Sequence, residues 1–225
     1  EIAAKAKVEN VDLAAIAAEI RRIKHPLVPA LKAVEKLCRD GHGEFIHFGP
    51  TTQDVLDTGT MLQIKEAHAV YLRDMKEIGR ALCKLAETHK ATPMAGRSHG
   101  VQALPITFGH KAAIWLSEMG RNYQRLRGLE DRTFVGGMVG AVGTQASYGP
   151  KAAELEQRLM KRLGLGVADI NWQPARDRFA EYVCVLAIIG QTLGKIANEI
   201  INLEHTEIGE VFEPFSEGKV GSSTM

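Results

Sequence analysis

The sequence predicts an all-α fold, a bundle of long helices completed by other subunits. Three observations carry this. Long stretches, above all 54–90, 105–131 and 178–208, place apolar residues at helical spacing with almost no internal proline. No segment is rich in strand-forming residues, and no internal repeat or low-complexity tract is present. The third stretch is apolar on more than one face, through Val183, Val185, Leu186, Ile188, Ile189, Leu193, Ile196, Ile200 and Leu203. A helix apolar nearly all round must be covered on most sides, which one chain of this size does not easily do alone. Helices of roughly 30 residues span about 45 Å and suit a bundle with near-parallel axes.

Each element has its own signal. Residues 1–22, rich in Ala, Glu, Ile and Lys and without Gly or Pro, read as one helix. Lys24-His25-Pro26 breaks it, and Pro26 fits the first turn of a second helix reaching about Cys38. Arg39–Glu44 is a turn, and Phe45–Asp54 is a loop holding Gly49-Pro50. One long helix follows to Lys90. Ala91–Leu104 reads as a connecting segment, and Pro105 opens a helix through about Asp131. Val135–Gly149 is rich in glycine and small residues. Pro150 opens an amphipathic helix to about Leu163, Gly164–Arg176 is a loop, and the last helix runs from Arg178 to about Ile208.

The composition, 45% apolar and 24% charged over 225 residues, is that of a globular protein. Lys+Arg 28 against Asp+Glu 27 leaves a net charge of +1, so neither a nucleic-acid stripe nor an acidic tail is indicated. Cys38, Cys83 and Cys184 are widely spaced and odd in number, which fits a reducing cytoplasm without a disulfide framework. No CxxC, HExxH or two-cysteine, two-histidine set supports a metal, and no cofactor is expected. No apolar run is read as long enough to span a bilayer, and no signal peptide is visible. The chain opens inside a helix and stops in a loop, so a fragment is expected.

Five stretches carry candidate chemistry. His47-Phe-Gly-Pro-Thr-Thr-Gln-Asp54 sets an imidazole, two hydroxyls, an amide and a carboxylate before a helix, either an anion site at the helix N-terminus or an N-cap. Gly96-Arg97-Ser98-His99-Gly100, with Gln102 two positions on, offers a general acid or base between glycines, or a turn. Gly136–Gly143 does not fit a dinucleotide fingerprint, and close packing is the reading of its glycines. Arg176-Asp177-Arg178 can hold carboxylates or phosphate, or form helix-end ion pairs. Gly218-Lys-Val-Gly-Ser-Ser-Thr-Met225 is either a polar end or a glycine-hinged loop carrying a mobile catalytic group. His42, His68, His89, His110 and His205 are taken as surface or packing residues.

Together these segments resemble the aspartase/fumarase superfamily, in particular its adenylosuccinate lyase and 3-carboxy-cis,cis-muconate cycloisomerase branch. His47–Asp54 with Val55–Thr58 is similar to the first signature stretch. Gly96–Gly100 with Ala103–Gly109 is similar to the second, and Gly218–Met225 to the third. Gly140–Gly143 and Arg176–Arg178 also fall where the family has them. The resemblance implies a cytoplasmic homotetramer with a central helical bundle and active sites built from three subunits. It implies an anti β-elimination that releases fumarate from a small dicarboxylate substrate, with C–N cleavage of adenylosuccinate in purine biosynthesis as the leading case. By position Ser222 would be the general base, with Ser223 beside it at the substrate, and His99 the general acid. His25, His47, Thr51, Thr52 and Gln53 would hold substrate carboxylates or lie beside them, with Arg97, Ser98 and Gln102 on the second stretch. Arg178 would meet a phosphate or carboxylate. Adenylosuccinate lyases often carry Gln four residues before Arg-Asp-Arg, where this chain has Trp172, with Gln173 one closer. Thr-Gln-Asp54 and Gln102–Pro105 lean toward the cycloisomerases, while His25 and Ser98-His99 lean toward adenylosuccinate lyase.

The division expected is an N-terminal helical portion over 1–90, running into the first long helix, and a central bundle portion over 91–225 that ends in the catalytic loop. The family's C-terminal domain is expected to be absent. Alternatives are a cycloisomerase, a lyase for another amino-dicarboxylate, and a catalytically inactive relative with the same fold.

Overall fold

The computed structural model describes residues 1–214 and 217–218. In chain order the helices and strands are α1 (Ile2–Lys5), α2 (Leu13–Ile23), α3 (Val28–Glu35), α4 (Thr52–Thr88), β1 (Pro93–Ser98), β2 (Val101–Thr107), α5 (Phe108–Arg127), α6 (Glu130–Thr133), β3 (Val135–Gly136), α7 (Ala152–Leu163), β4 (Gly166–Val167) and α8 (Asp177–Glu204). The fold is mainly helical, as expected. The contacts divide it into two compact units: Glu1–His68 with Glu130–Arg178, and Ala69–Leu129 with the segment from Phe179 onward.

In the first unit the expected single helix over 1–22 is broken. Asp12 accepts the amides of Ala14 and Ala15 at 2.9 and 3.0 Å and starts α2 afresh, while the Asn10 amide donates to the Lys5 carbonyl at 3.2 Å. These short polar side chains satisfy helix ends better than they continue a helix. Lys24, in the left-handed region at φ 57°, stops α2. The next helix begins at Val28 rather than Pro26, and Pro29 occupies its first turn. Strand β3 pairs in parallel with β4, Val135 opposite Gly166 and Gly136 opposite Val167. A Cβ at Gly136 would stand 2.2 Å from Met160 Sδ, so the strand packs directly on the fully buried Met160 of α7. Gly164, at φ 67°, closes α7 as the sequence predicts.

In the second unit the expected connecting segment is a β-hairpin, and Pro105 lies in its second strand rather than opening a helix. Thr107, whose hydroxyl accepts the His110 amide at 3.1 Å, caps α5 instead. Helices α5 and α8 share a buried polar contact, Asn122 Nδ2 donating to Thr192 Oγ1 at 2.9 Å. They also share the ion pairs Lys111–Glu199 and Lys195–Glu118. Against expectation, α8 is by length and composition apolar enough to cross a membrane: its mean hydropathy of 1.4 averages over interruptions such as Gln191 and Thr192. Only 22% of that apolar window is buried within the chain, and Val183, Ile188 and Ile201 are 62, 44 and 55% exposed.

Candidate functional site

In the first unit the polar stretch before α4 turns inward. The carboxylate of Asp54, 3% exposed, accepts four donors. They are the amides of Thr51 (2.9 Å), Val139 (3.2 Å) and Gly140 (2.9 Å) and the side-chain amide of Gln173 (2.7 Å). The bond to Thr51 is the reach-back of a third helical residue to the amide before the helix. The others clamp the glycine-rich stretch onto the helix start. Thr58 completes the seam, its hydroxyl accepting from the Gly137 amide at 3.0 Å and donating to the Gly137 carbonyl at 3.2 Å. Glu156 holds the far side, accepting from the Met138 amide at 3.3 Å and from Gln145 at 2.6 Å. So Gly136–Gly143 serves close packing, as its composition predicts.

One turn further along α4 lies a second network. Gln53 donates to Asp57 at 2.7 Å, and Arg176 places both terminal nitrogens on the same carboxylate at 2.7 and 2.8 Å. Asp57 is 4% exposed, and its hydrogen bonds raise the pKa of the Arg176 guanidinium further. Arg178 donates to the Arg132 carbonyl and stands 6.0 Å from the Trp172 ring, over which Arg176 also lies at 5.9 Å. The buried Trp172 donates its indole N–H to the Gly136 carbonyl at 3.0 Å. Trp172 and Gln173 are therefore both engaged inside this unit.

The other first-unit candidates lie on connections. His25, half-buried between α2 and α3, accepts the amides of Leu27 and Val28 on Nδ1 at 3.3 and 3.1 Å. That use of Nδ1 assigns the proton of the neutral ring to Nε2. His47 sits at φ 60°, and its buried Nε2 has no hydrogen-bond partner among the described residues. Thr51 and Thr52 are half-buried at the α4 start. Next to them Gly49, at φ 97°, lies so close to Tyr148 that a Cβ would be 2.3 Å from its ring. Burial, aided by the charges of Asp54 and Glu156, pushes the Tyr148 phenol up to about 12. His68 is a packing residue as expected, buried 3.1 Å from Glu130 and edge-on to Phe134.

In the second unit the hairpin carries Arg97, Ser98, His99 and Gln102 together. Arg97 pairs with Gln102 and Ser98 with Val101, leaving His99 and Gly100 as a two-residue turn at φ 53° and 73°. Ser98, His99 and Gln102 are exposed. A bulge lies between Ala95 and Arg97, where a Cβ on Gly96 would stand 2.6 Å from the Leu104 carbonyl oxygen. Arg97 grips Glu210 through two bonds of 2.8 and 2.9 Å, which draw the Glu210 carboxyl below its usual range. Beside the hairpin a cleft of about 690 Å³ is lined by Arg97, Gly100, Lys111, Trp115, Glu199 and His205 among others. Ser222 and Ser223 lie outside the described residues.

Sequence reasoning did not single out Asp57, Trp172 or Glu210 as partners of the candidate residues. Helical spacing offers Gln53 and Asp57, four apart, as a pair. Nothing in the sequence pairs Asp57 with Arg176, or Arg97 with Glu210, 119 and 113 residues away.

A family described as lyase matches residues 6–225. The chain is 50% identical to the N-acetyl-S-(2-succino)cysteine lyase of Enterococcus italicus over 225 residues, all of this chain and 49% of that protein. It is 47% identical to the adenylosuccinate lyase of Pyrococcus abyssi over 204 residues, 90% of this chain and 45% of that one. Among solved structures, the 3-carboxy-cis,cis-muconate lactonizing enzyme from Pseudomonas putida matches with a TM-score of 0.90 at 36% identity, covering 96% of this chain and 49% of its own. The chain thus spans about half the length of the curated relatives it matches. A match over nearly all residues, at this identity and with this fold, makes the chain a member of the lyase family of the aspartase/fumarase superfamily.

Proposed function

We propose that the chain belongs to an enzyme that releases fumarate from a succinylated thiol or amine by anti β-elimination, and that a small succinyl thioether is its leading substrate. The observation that carries the reading is the hairpin. It presents Ser98-His99 at an exposed two-residue turn, in a chain 50% identical along its whole length to an N-acetyl-S-(2-succino)cysteine lyase. Ser222 takes the proton from the carbon next to a carboxylate. The bond from the neighbouring carbon to sulfur or nitrogen breaks as the double bond of fumarate forms. His99 gives its proton to the departing atom. Serine has a high intrinsic pKa, so its step needs donors around the developing dianion and exclusion of water. Thr51, Thr52, His25 and His47 are the donors assigned to the carboxylates.

The preference for a thioether rests on Trp172 and Gln173. The indole N–H is given to Gly136 and one of the two Gln173 amide hydrogens to Asp54, which draws both side chains into the protein's own hydrogen bonds rather than toward a nucleotide. Adenylosuccinate is the second reading, favoured by His25, by Ser98-His99 and by the 47% identity to an adenylosuccinate lyase. The enzyme is a cytoplasmic homotetramer in this reading, with α8 in the shared bundle; its exposed Val183, Ile188 and Ile201 support that.

The test supplies intact full-length protein with N-acetyl-S-(2-succino)cysteine and with adenylosuccinate, and follows fumarate by ultraviolet absorbance. Release from the thioether, lost by several orders of magnitude in Ser222→Ala with folding kept, is expected. Release from adenylosuccinate alone would select the second reading. No fumarate from either would leave the inactive relative standing.

A further inference from the structure

We propose that Arg97 and Glu210 form a staple that positions the His99 turn, and that Arg97 works on the hairpin rather than on substrate. The proposal rests on the lyase reading only for the role of His99 as acid. Both terminal nitrogens of Arg97 are used by Glu210, at 2.9 and 2.8 Å, with the two side chains only 19 and 25% exposed. An arginine that grips a substrate carboxylate needs that same planar fork.

The far end of the staple is anchored. The Glu210 amide donates to the carbonyl of Leu203 at 2.9 Å, and Leu203, 1% exposed, closes the buried side of α8. The near end is anchored as well. Gly96 lets β1 bulge against the Leu104 carbonyl, and Arg97 and Ser98 are then held in register with Gln102 and Val101. His99 follows two positions after Arg97, at φ 53°, the left-handed conformation that a two-residue turn requires, so its place is set by the strand ends on either side. The ion pair thus ties the end of α8 to the residue from which the turn starts, across 113 residues of chain.

The test uses the full-length protein with Arg97→Gln, Glu210→Gln, the double variant and Arg97→Lys. If the pair positions His99, each glutamine variant loses about tenfold or more in kcat with KM within about twofold, and the double variant loses no more than the worse single one. Arg97→Lys recovers part of the loss, because it restores charge without the fork. Amide hydrogen exchange of Ser98–Val101 quickens in both glutamine variants. A large rise in KM for Arg97→Gln with kcat kept, and no effect of Glu210→Gln, would make Arg97 a substrate ligand and overturn the staple. Should wild-type protein release no fumarate, the lyase reading falls, and unchanged hydrogen exchange in the variants would still overturn the staple by itself. If the glutamine variants do not fold, the exchanged pair Arg97→Glu with Glu210→Arg is expected to fold better than Arg97→Glu alone, and the opposite result sinks the proposal.

Discussion

Asp54 Oδ2 accepts the amide hydrogen of Gly140 at 2.9 Å, and this bond joins the first polar stretch of the chain to its glycine-rich one. The Asp54 carboxylate, in a stretch that reads in sequence as either an anion site or an N-cap, is occupied by the protein's own amides. The neighbouring hydroxyls of Thr51 and Thr52 sit on a helix start whose position is set from behind. Asp54→Asn keeps the size but turns an amide donor toward donors. It is expected to lower stability by about 3 kcal/mol, the usual loss when a buried, charge-assisted network loses its acceptor. Urea unfolding measures it, and a change below about 0.5 kcal/mol would show that the clamp is dispensable.

Two glycines with positive φ separate backbone strain from steric collision. Gly41, at φ 74°, has open space around its missing Cβ, whereas a Cβ on Gly143, at φ 79°, would lie 1.9 Å from Asn171 Nδ2. Gly41→Ala should lose about 1 kcal/mol from conformation alone. Gly143→Ala should lose clearly more, because Asn171 Oδ1 is already holding the Gln173 amide at 3.0 Å and must give way. Equal losses in thermal or urea unfolding would mean that the 171–173 segment moves freely.

The difference between legible and illegible parts has a physical source. The long helices announce themselves because proline, glycine and apolar spacing are local signals, and α4, α7 and α8 begin and end within a few residues of their expected limits. The hairpin is hidden because its strands bury neither face in a period-2 pattern and because its bulge at Gly96 breaks the alternation. The break between α1 and α2 is hidden because Ala, Glu and Ile on both sides favour helix, while Asp12 alone decides where the helix restarts. At the candidate site, residue types were readable from loops and glycines. What each side chain holds was not, since Arg176 meets Asp57 and Gln173 meets Asp54 only after the chain has folded.

Glu118 provides a pH test. Hydrogen bonds from Lys195, then from Thr192 at 2.8 Å, lower its pKa below the ordinary value of 4.5, against the opposing effect of burial. A carboxyl with a depressed folded-state pKa stabilises the fold above its unfolded value and loses that contribution as pH falls through the folded value. The stability gap between wild type and Glu118→Gln should therefore hold steady from neutral pH down to about 4.5 and shrink below it. Urea midpoints across that range decide it, and a gap that widens on acidification would contradict the assignment.

Helix α8 carries more apolar surface than this chain covers, with 22% of its apolar window buried. Val183, Ile188 and Ile201 remain 62, 44 and 55% exposed, while Val185, Ile189 and Ile196 on the same helix are buried. Such a helix is stable in water only if the exposed side is also covered, and in a tetramer a second copy of the same helix would cover it. A carboxylate at position 188 would then be buried on assembly without a partner. Ile188→Asp removes the apolar contribution and adds that desolvation, so association should weaken by at least about a hundredfold, roughly 3 kcal/mol. Sedimentation should show smaller species than the tetramer proposed for the wild type at the same concentration, and fumarate release should fall in parallel, because no single chain holds a complete site in this reading. A variant of unchanged mass and full activity would remove α8 from the interface, and a fully active wild-type monomer would end the tetramer proposal itself.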